Sequence, residues 1–131
     1  MLSAALSLWR GPVLADIDIS ARQRSLVAGL EEERLSATER RFDVGLRLSR
    51  HAELVAELTV ASTEHPLHER FWCQRMVALY HAGRQAEPLA AYRAITGRLA
   101  DQLGIDPGAE LRTTHEAILR QTLGSPVAAT A

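Results

Sequence analysis

Arg50-His51-Ala52-Glu53 returns 34 positions later as Arg84-Gln85-Ala86-Glu87. A fixed period of about 34 residues is the length of a helix–turn–helix unit that stacks on copies of itself. The flanking residues keep the same period. In the later unit Trp72, Met76, Leu79 and Gly83 stand where such a unit needs a bulky residue, a close-packing residue, a second bulky residue and a turn. Pro88, Tyr92 and Ile95 follow on the partner helix. The earlier unit offers Thr38, Phe42, Gly45 and Ser49, then Leu54, Leu58 and Ala61, and closes on Pro66. Thr38 and Gly45 are small for their places, and Pro88 stands where alanine is usual. The period carries more weight than any single residue.

This is the pattern of a tetratricopeptide repeat. The expected fold is all-α, a tetratricopeptide-like right-handed stack of helix hairpins with about six helices. A first helix is expected over 2–10, stopped by Gly11-Pro12, and a long second helix over 19–48 after a connector. Apolar spacing at His51, Leu54, Val55 and Leu58 predicts a third helix over 51–64. A fourth is expected over 67–82 and a fifth over 84–103. Gly104 is expected to end the fifth as a left-handed cap, with Ile105 making the apolar contact that accompanies such a cap. Asp106-Pro107 reads as the start of the last helix, Asp as N-cap and Pro at the first helical position. Gly97, inside the fifth helix, calls for a packing reason or a kink. The expected domain spans 1–123, and the small-residue run 124–131 reads as a flexible tail or linker.

Composition bounds the function classes. The 131 residues are 47% apolar and 24% charged, with a net charge near −1, as expected of one soluble globular domain. No run reaches the ~20 apolar residues that cross a membrane. The first ten residues lack the basic head and long apolar core of a signal peptide, so a cytoplasmic location is expected. All 15 basic side chains are arginine. They are interspersed with acids rather than gathered into a stripe that would grip phosphates. Cys73 is the single cysteine, which leaves no disulfide framework and no cysteine-based zinc site. It reads as a small buried thiol.

Chemistry is hard to find. His65 and His68 are three apart, but Pro66 lies between them and no third metal ligand is evident. No Gly-rich phosphate loop follows a strand, and no nucleophile–base arrangement stands out. Trp72, Tyr80 and Tyr92 recur at helical spacing without a basic surround, which reads as core or groove lining rather than base stacking. The chain is not expected to be an enzyme, and no catalytic residue, cofactor or metal is expected.

Five stretches carry a family resemblance. Leu8-Trp9-Arg10-Gly11-Pro12-Val13-Leu14-Ala15-Asp16 resembles the opening motif of the bacterial transcriptional activator domain. Its centre and end are resembled by four further segments: Arg50–Leu54, His65-Pro66-Leu67-His68-Glu69-Arg70, Gly83–Glu87 and Leu103-Gly104-Ile105-Asp106-Pro107-Gly108-Ala109-Glu110-Leu111. The likeness covers about residues 2–122 and points to the Streptomyces antibiotic regulatory proteins. It implies an activation module that packs behind an OmpR-type winged-helix DNA-binding domain, absent from this sequence, and helps recruit RNA polymerase holoenzyme. Promoter DNA would be reached only indirectly. Three features depart from the family: Pro88 for alanine, Arg75 for an apolar residue, and a stretch 17–25 without the usual Pro/Trp segment.

In a repeat stack the first helix of each pair lines the concave face. That face would present Glu39, Asp43 and Arg47 from one pair and Arg70, Cys73, Val77, Tyr80 and His81 from the next. Glu39, Asp43, Arg47, Arg70, Tyr80 and His81 are the expected partner-binding residues. The competing readings are a stand-alone helical scaffold for an unrelated protein, and an enzyme or small-ligand sensor with a pocket among the helices.

Overall fold

The computed structural model describes residues 17–121, with side chains from Ser20 onward. The expected helix over 2–10, the opening motif around Trp9 and the tail 124–131 lie outside the described residues. Five helices and no strand occur among those described: α1 (Ile17–Arg47), α2 (His51–Glu64), α3 (Glu69–His81), α4 (Ala86–Leu103) and α5 (Ala109–Leu119). The chain divides into two compact units, residues 1–38 and 39–131.

In the first unit α1 is largely solvated. Arg34 pairs with Glu31 one turn away, and the Thr38 hydroxyl donates to the Arg34 carbonyl at 2.9 Å. Leu26 and Leu30 are exposed. The second unit holds the core.

The repeat is written into the backbone of that unit. At the end of α1, Leu48, Ser49 and Arg50 donate their N–H groups to Val44, Leu46 and Gly45. At the end of α3, Ala82, Gly83 and Arg84 donate to Ala78, Tyr80 and Leu79, each bond shifted by 34 residues from its counterpart. Both ends are Schellman caps, which need one residue in the left-handed region. Ser49 (φ 62°) and Gly83 (φ 86°) supply it.

Helix α3 is the hub. It buries Phe71, Trp72, Cys73, Gln74, Met76, Ala78 and Leu79, more than one face of a surface helix would, because α2, α4 and α5 all pack on it. Phe42 of α1 meets Phe71 edge-on at 5.8 Å, and Leu54 and Leu58 of α2 are buried as well. On the other side Trp72, Met76, Ala91, Ile95, Leu99, Leu111 and Ile118 form one cluster. The smallness of Gly45 is explained here: a Cβ on it would come 2.8 Å from Leu54 Cδ1, so α2 uses the missing side chain to approach α1.

Helix α5 also packs on α3 and α4. It buries Leu111 and Ile118, while Arg112, Thr113, Glu116 and Leu119 are exposed.

Several expectations are corrected. Asp106-Pro107 does not start the last helix; α5 begins at Ala109 with Gly108 as its extended N-cap (φ −71°, ψ 174°). The reason is tertiary. Pro107 is buried, and the Gly108 N–H is held by Glu69 Oε1 of α3 at 2.8 Å. Helices α3 and α4 each start two residues later than expected, after the turn that carries Pro66 and after Gln85. Gly104 does cap α4 in the left-handed conformation (φ 65°), but Ile105 remains 46% exposed. Gly97 has no packing reason, since a Cβ there would meet nothing within 4 Å.

Two family departures are absorbed by the structure. Pro88 is the third residue of α4, in the first turn where its missing N–H has no intrahelical partner to lose, and it is fully buried. Arg75 lies over the Trp72 ring at 4.9 Å and donates to the buried Ser62 hydroxyl at 3.1 Å. Its Nε finds no acceptor and burial pulls its pKa down, with Glu87 acting in the opposite sense.

Candidate partner-binding face

Helices α1, α3 and α5 bring one set of polar side chains together. Glu39 and Asp43 lie one turn apart on α1, as do Arg70 and Gln74 on α3, so each pair shares a helix face. Arg70 Nη2 reaches both Asp43 oxygens at 2.7 Å, and its Nη1 is bound by Glu110 of α5. Gln74, 2% exposed, donates to Asp43 Oδ1 at 2.7 Å and to the Glu39 carbonyl at 2.9 Å. The Glu39 carboxylate is engaged by His68 Nε2. With the Glu69–Gly108 bond, three helices are tied across one face in which four carboxylates meet one guanidinium and one imidazole. The His68–Glu39 and Arg70–Asp43 pairs are half-buried, and Asp43 is satisfied by two donors. This network therefore weighs more than an exposed pair such as Arg41–Glu57 at 3.0 Å, of the kind that contributes about 0–1 kcal/mol.

The expected contact residues thus divide. Glu39, Asp43 and Arg70 are employed within the chain, where they lock α1 to α3 and α3 to α5. Arg47 is exposed at the end of α1. Tyr80 and His81 lie at the end of α3, ring edge to ring at 5.2 Å, and the His81 ring sits 4.7 Å from that of His51 on α2. Val77 is half-buried. Cys73 does not line the face: it is 3% exposed in the core, and burial pushes its thiol up to about 11 against the opposing pull of a Thr114 hydrogen bond.

The sequence reading missed His51, His68, Glu69, Gln74 and Glu110. The i, i+4 spacing of Glu39–Asp43 and Arg70–Gln74 was visible, but nothing in the chain order says that these rows face each other. His65 and His68, weighed above as metal ligands, both pack their rings near Phe71, at 6.0 and 4.2 Å. Among the described residues no group of three or more His, Cys, Asp or Glu is placed to hold a metal ion, and no helix is long and apolar enough to cross a membrane.

A stack of helix hairpins whose first helices are joined by side-chain pairs defines a helical-repeat module. The particular family follows from comparison with known proteins. Residues 1–119 match the family model described as bacterial transcriptional activator domain, and the chain belongs to that family. It is 42% identical over 120 residues to the regulatory protein DnrI of Streptomyces peucetius, covering 92% of this chain and 44% of that protein. It is 41% identical to the transcriptional regulatory protein EmbR of Mycobacterium tuberculosis, again over 92% of this chain but 31% of the relative. The regulatory protein AfsR of Streptomyces coelicolor is 44% identical over 92% of this chain and 12% of its own length. The chain therefore spans less than half the length of these relatives. In solved form, Mycobacterium tuberculosis EmbR in complex with a low-affinity phosphopeptide is similar with a TM-score of 0.78 and 40% identity, over 95% of this chain and 33% of that one. The relatives are transcriptional regulators of the Streptomyces antibiotic regulatory type, and this chain holds their helical activator domain.

Proposed function

We propose that this chain is the activation module of such a regulator, working in the cytoplasm: it packs on a winged-helix DNA-binding domain in the intact protein and helps recruit RNA polymerase holoenzyme to promoters. The observation that carries the reading is the match of residues 1–119 to the activator-domain family, in relatives named as regulators. On this reading residues 1–123 are the module and 124–131 a tether.

The chemistry asked of the module is binding and not catalysis. A DNA-bound regulator raises the effective concentration of polymerase at the promoter, so contacts of a few kcal/mol suffice to shift occupancy. A rigid face serves this better than a mobile one, because ordering costs are met in folding rather than in association. The Glu39–Asp43–Arg70 network supplies the rigidity, and Arg47, Tyr80 and His81 are assigned to the contact.

The test fuses residues 1–131 to a heterologous DNA-binding domain and measures capture of purified holoenzyme together with transcription from the matching promoter. Capture with activation supports the module. A folded fusion with neither effect removes the claim that this chain suffices and favours the scaffold reading. Alanine at Arg47 and Tyr80 locates the contact: unchanged activation with folding intact takes this face out of the account.

A further inference from the structure

His51 opens α2 and His81 closes α3, and their rings lie 4.7 Å apart, tilted by 36°. Both ring nitrogens of His51 are shut off from solvent, and neither has a hydrogen-bond partner. A neutral imidazole tolerates that position. An imidazolium does not, because two N–H donors would go unsatisfied and the charge would lose its hydration. The site at the first residue of α2 works in the same direction, since a helix N-terminus disfavours a cation.

Among the described residues no group accepts a hydrogen bond from either His51 ring nitrogen. From α3 the ring faces His81, with Tyr80 beyond it. Arg47, Arg50 and Glu53, the charged residues nearest to it in sequence, are exposed, and burial is what acts on the ring. Across the turn after α3, Arg84 is exposed and paired with Glu87. Burial holds the His51 imidazole below its ordinary 6.5.

We propose that the His51–His81 contact is an acid-sensitive latch: protonation of His51 parts the start of α2 from the end of α3 and loosens the edge that carries Tyr80 and His81. Each opening takes one proton from solvent onto one imidazole nitrogen and breaks no covalent bond. The proposal stands apart from the transcription reading. It implies that any partner held through Tyr80 and His81 is released on acidification before the core unfolds.

The experiment follows the imidazole resonances of the 131-residue chain by NMR from about pH 8 to 5, with amide exchange at Gly83 and Arg84 as the local readout. Those N–H groups bond to Tyr80 and Leu79 and close the end of α3. His51 is expected to titrate below 6.5, and exchange, corrected for its intrinsic pH dependence, rises by up to about tenfold per pH unit as His51 charges. His51→Phe keeps a ring in place and flattens that rise. His51→Gln, smaller and uncharged, gives the same reading should the phenyl ring not fit. His115→Phe, made in parallel because His115 is also held low, leaves the local rise intact. A His51 midpoint at or above 6.5, or an unchanged acid response in both His51 variants, overturns the latch.

Discussion

Replacing Ser49 by glycine should stabilise this protein, and the size of the gain follows from the backbone. Ser49 holds φ at 62°, the left-handed region, where a Cβ costs roughly 1–2 kcal/mol. Against that, glycine costs roughly 0.5–1 kcal/mol more entropy on folding. The Ser49 hydroxyl makes no hydrogen bond that the change would remove, and the residue is exposed. The net expectation for Ser49→Gly is a gain of about 0.5–1 kcal/mol, or about 2–4 °C in Tm for a domain of this size. The equivalent position 34 residues on provides the control. Gly83 already has φ 86°, and an added Cβ there would meet nothing within 4 Å, so Gly83→Ala should cost about 1 kcal/mol through the backbone alone. Urea unfolding followed by circular dichroism reads both: the midpoints should move in opposite directions at unchanged slope. A neutral or destabilising Ser49→Gly, beside a costly Gly83→Ala, would refute the claim that the two turns are copies of one cap.

Four further outcomes are expected. Gly97→Ala should raise stability by up to about 1 kcal/mol in the same urea assay, since Gly97 sits exposed within α4 with open space around it. Gly45→Ala should cost about 1–3 kcal/mol by forcing the buried Leu54 aside, and a double-mutant cycle with Leu54→Ala should show that most of the cost is shared. Arg70→Met should cost about 1–3 kcal/mol because half-buried Asp43 loses its guanidinium, and Asp43→Asn in the same chain should recover part of it; strict additivity of the two changes would discredit the network. His115 stacks on Tyr92 at 3.8 Å, and burial holds it below 6.5, with Glu116 raising it and Arg93 lowering it. Its folded pKa is depressed, so its contribution is complete above 6.5 and is lost as pH falls through the folded value. His115→Phe should therefore flatten the acid limb of a stability–pH curve just below that pH.

The placement of helices was legible because local rules govern it. The long helix, the span 51–64, the left-handed residue at 104 and the turns at 49 and 83 all follow from apolar spacing, Gly/Pro punctuation and a period of 34. Where local rules competed with a tertiary contact, the contact won. Asp106-Pro107 has the chemistry of a helix start, yet Pro107 buries itself and Glu69, far away in sequence, holds the Gly108 N–H, which moves the start to Ala109. Gly45, small for its place in the repeat, leaves the room that Leu54 takes against it.

What the sequence determined by itself was the class: a stack of helical hairpins with the family motifs spread along it. Short-range hydrogen bonding and periodic burial carry that information in the order of residues. The tertiary structure alone decided which polar residues are engaged within the chain. Glu39, Asp43 and Arg70 look in sequence like any exposed charges on amphipathic helices, as Arg47 does. Only the packing of α1, α3 and α5 brings the first three within bonding distance of one another. It leaves Arg47 in solvent and shuts the His51 ring away from any partner for its nitrogens. Charge complementarity between helices depends on distances that no spacing along the chain specifies.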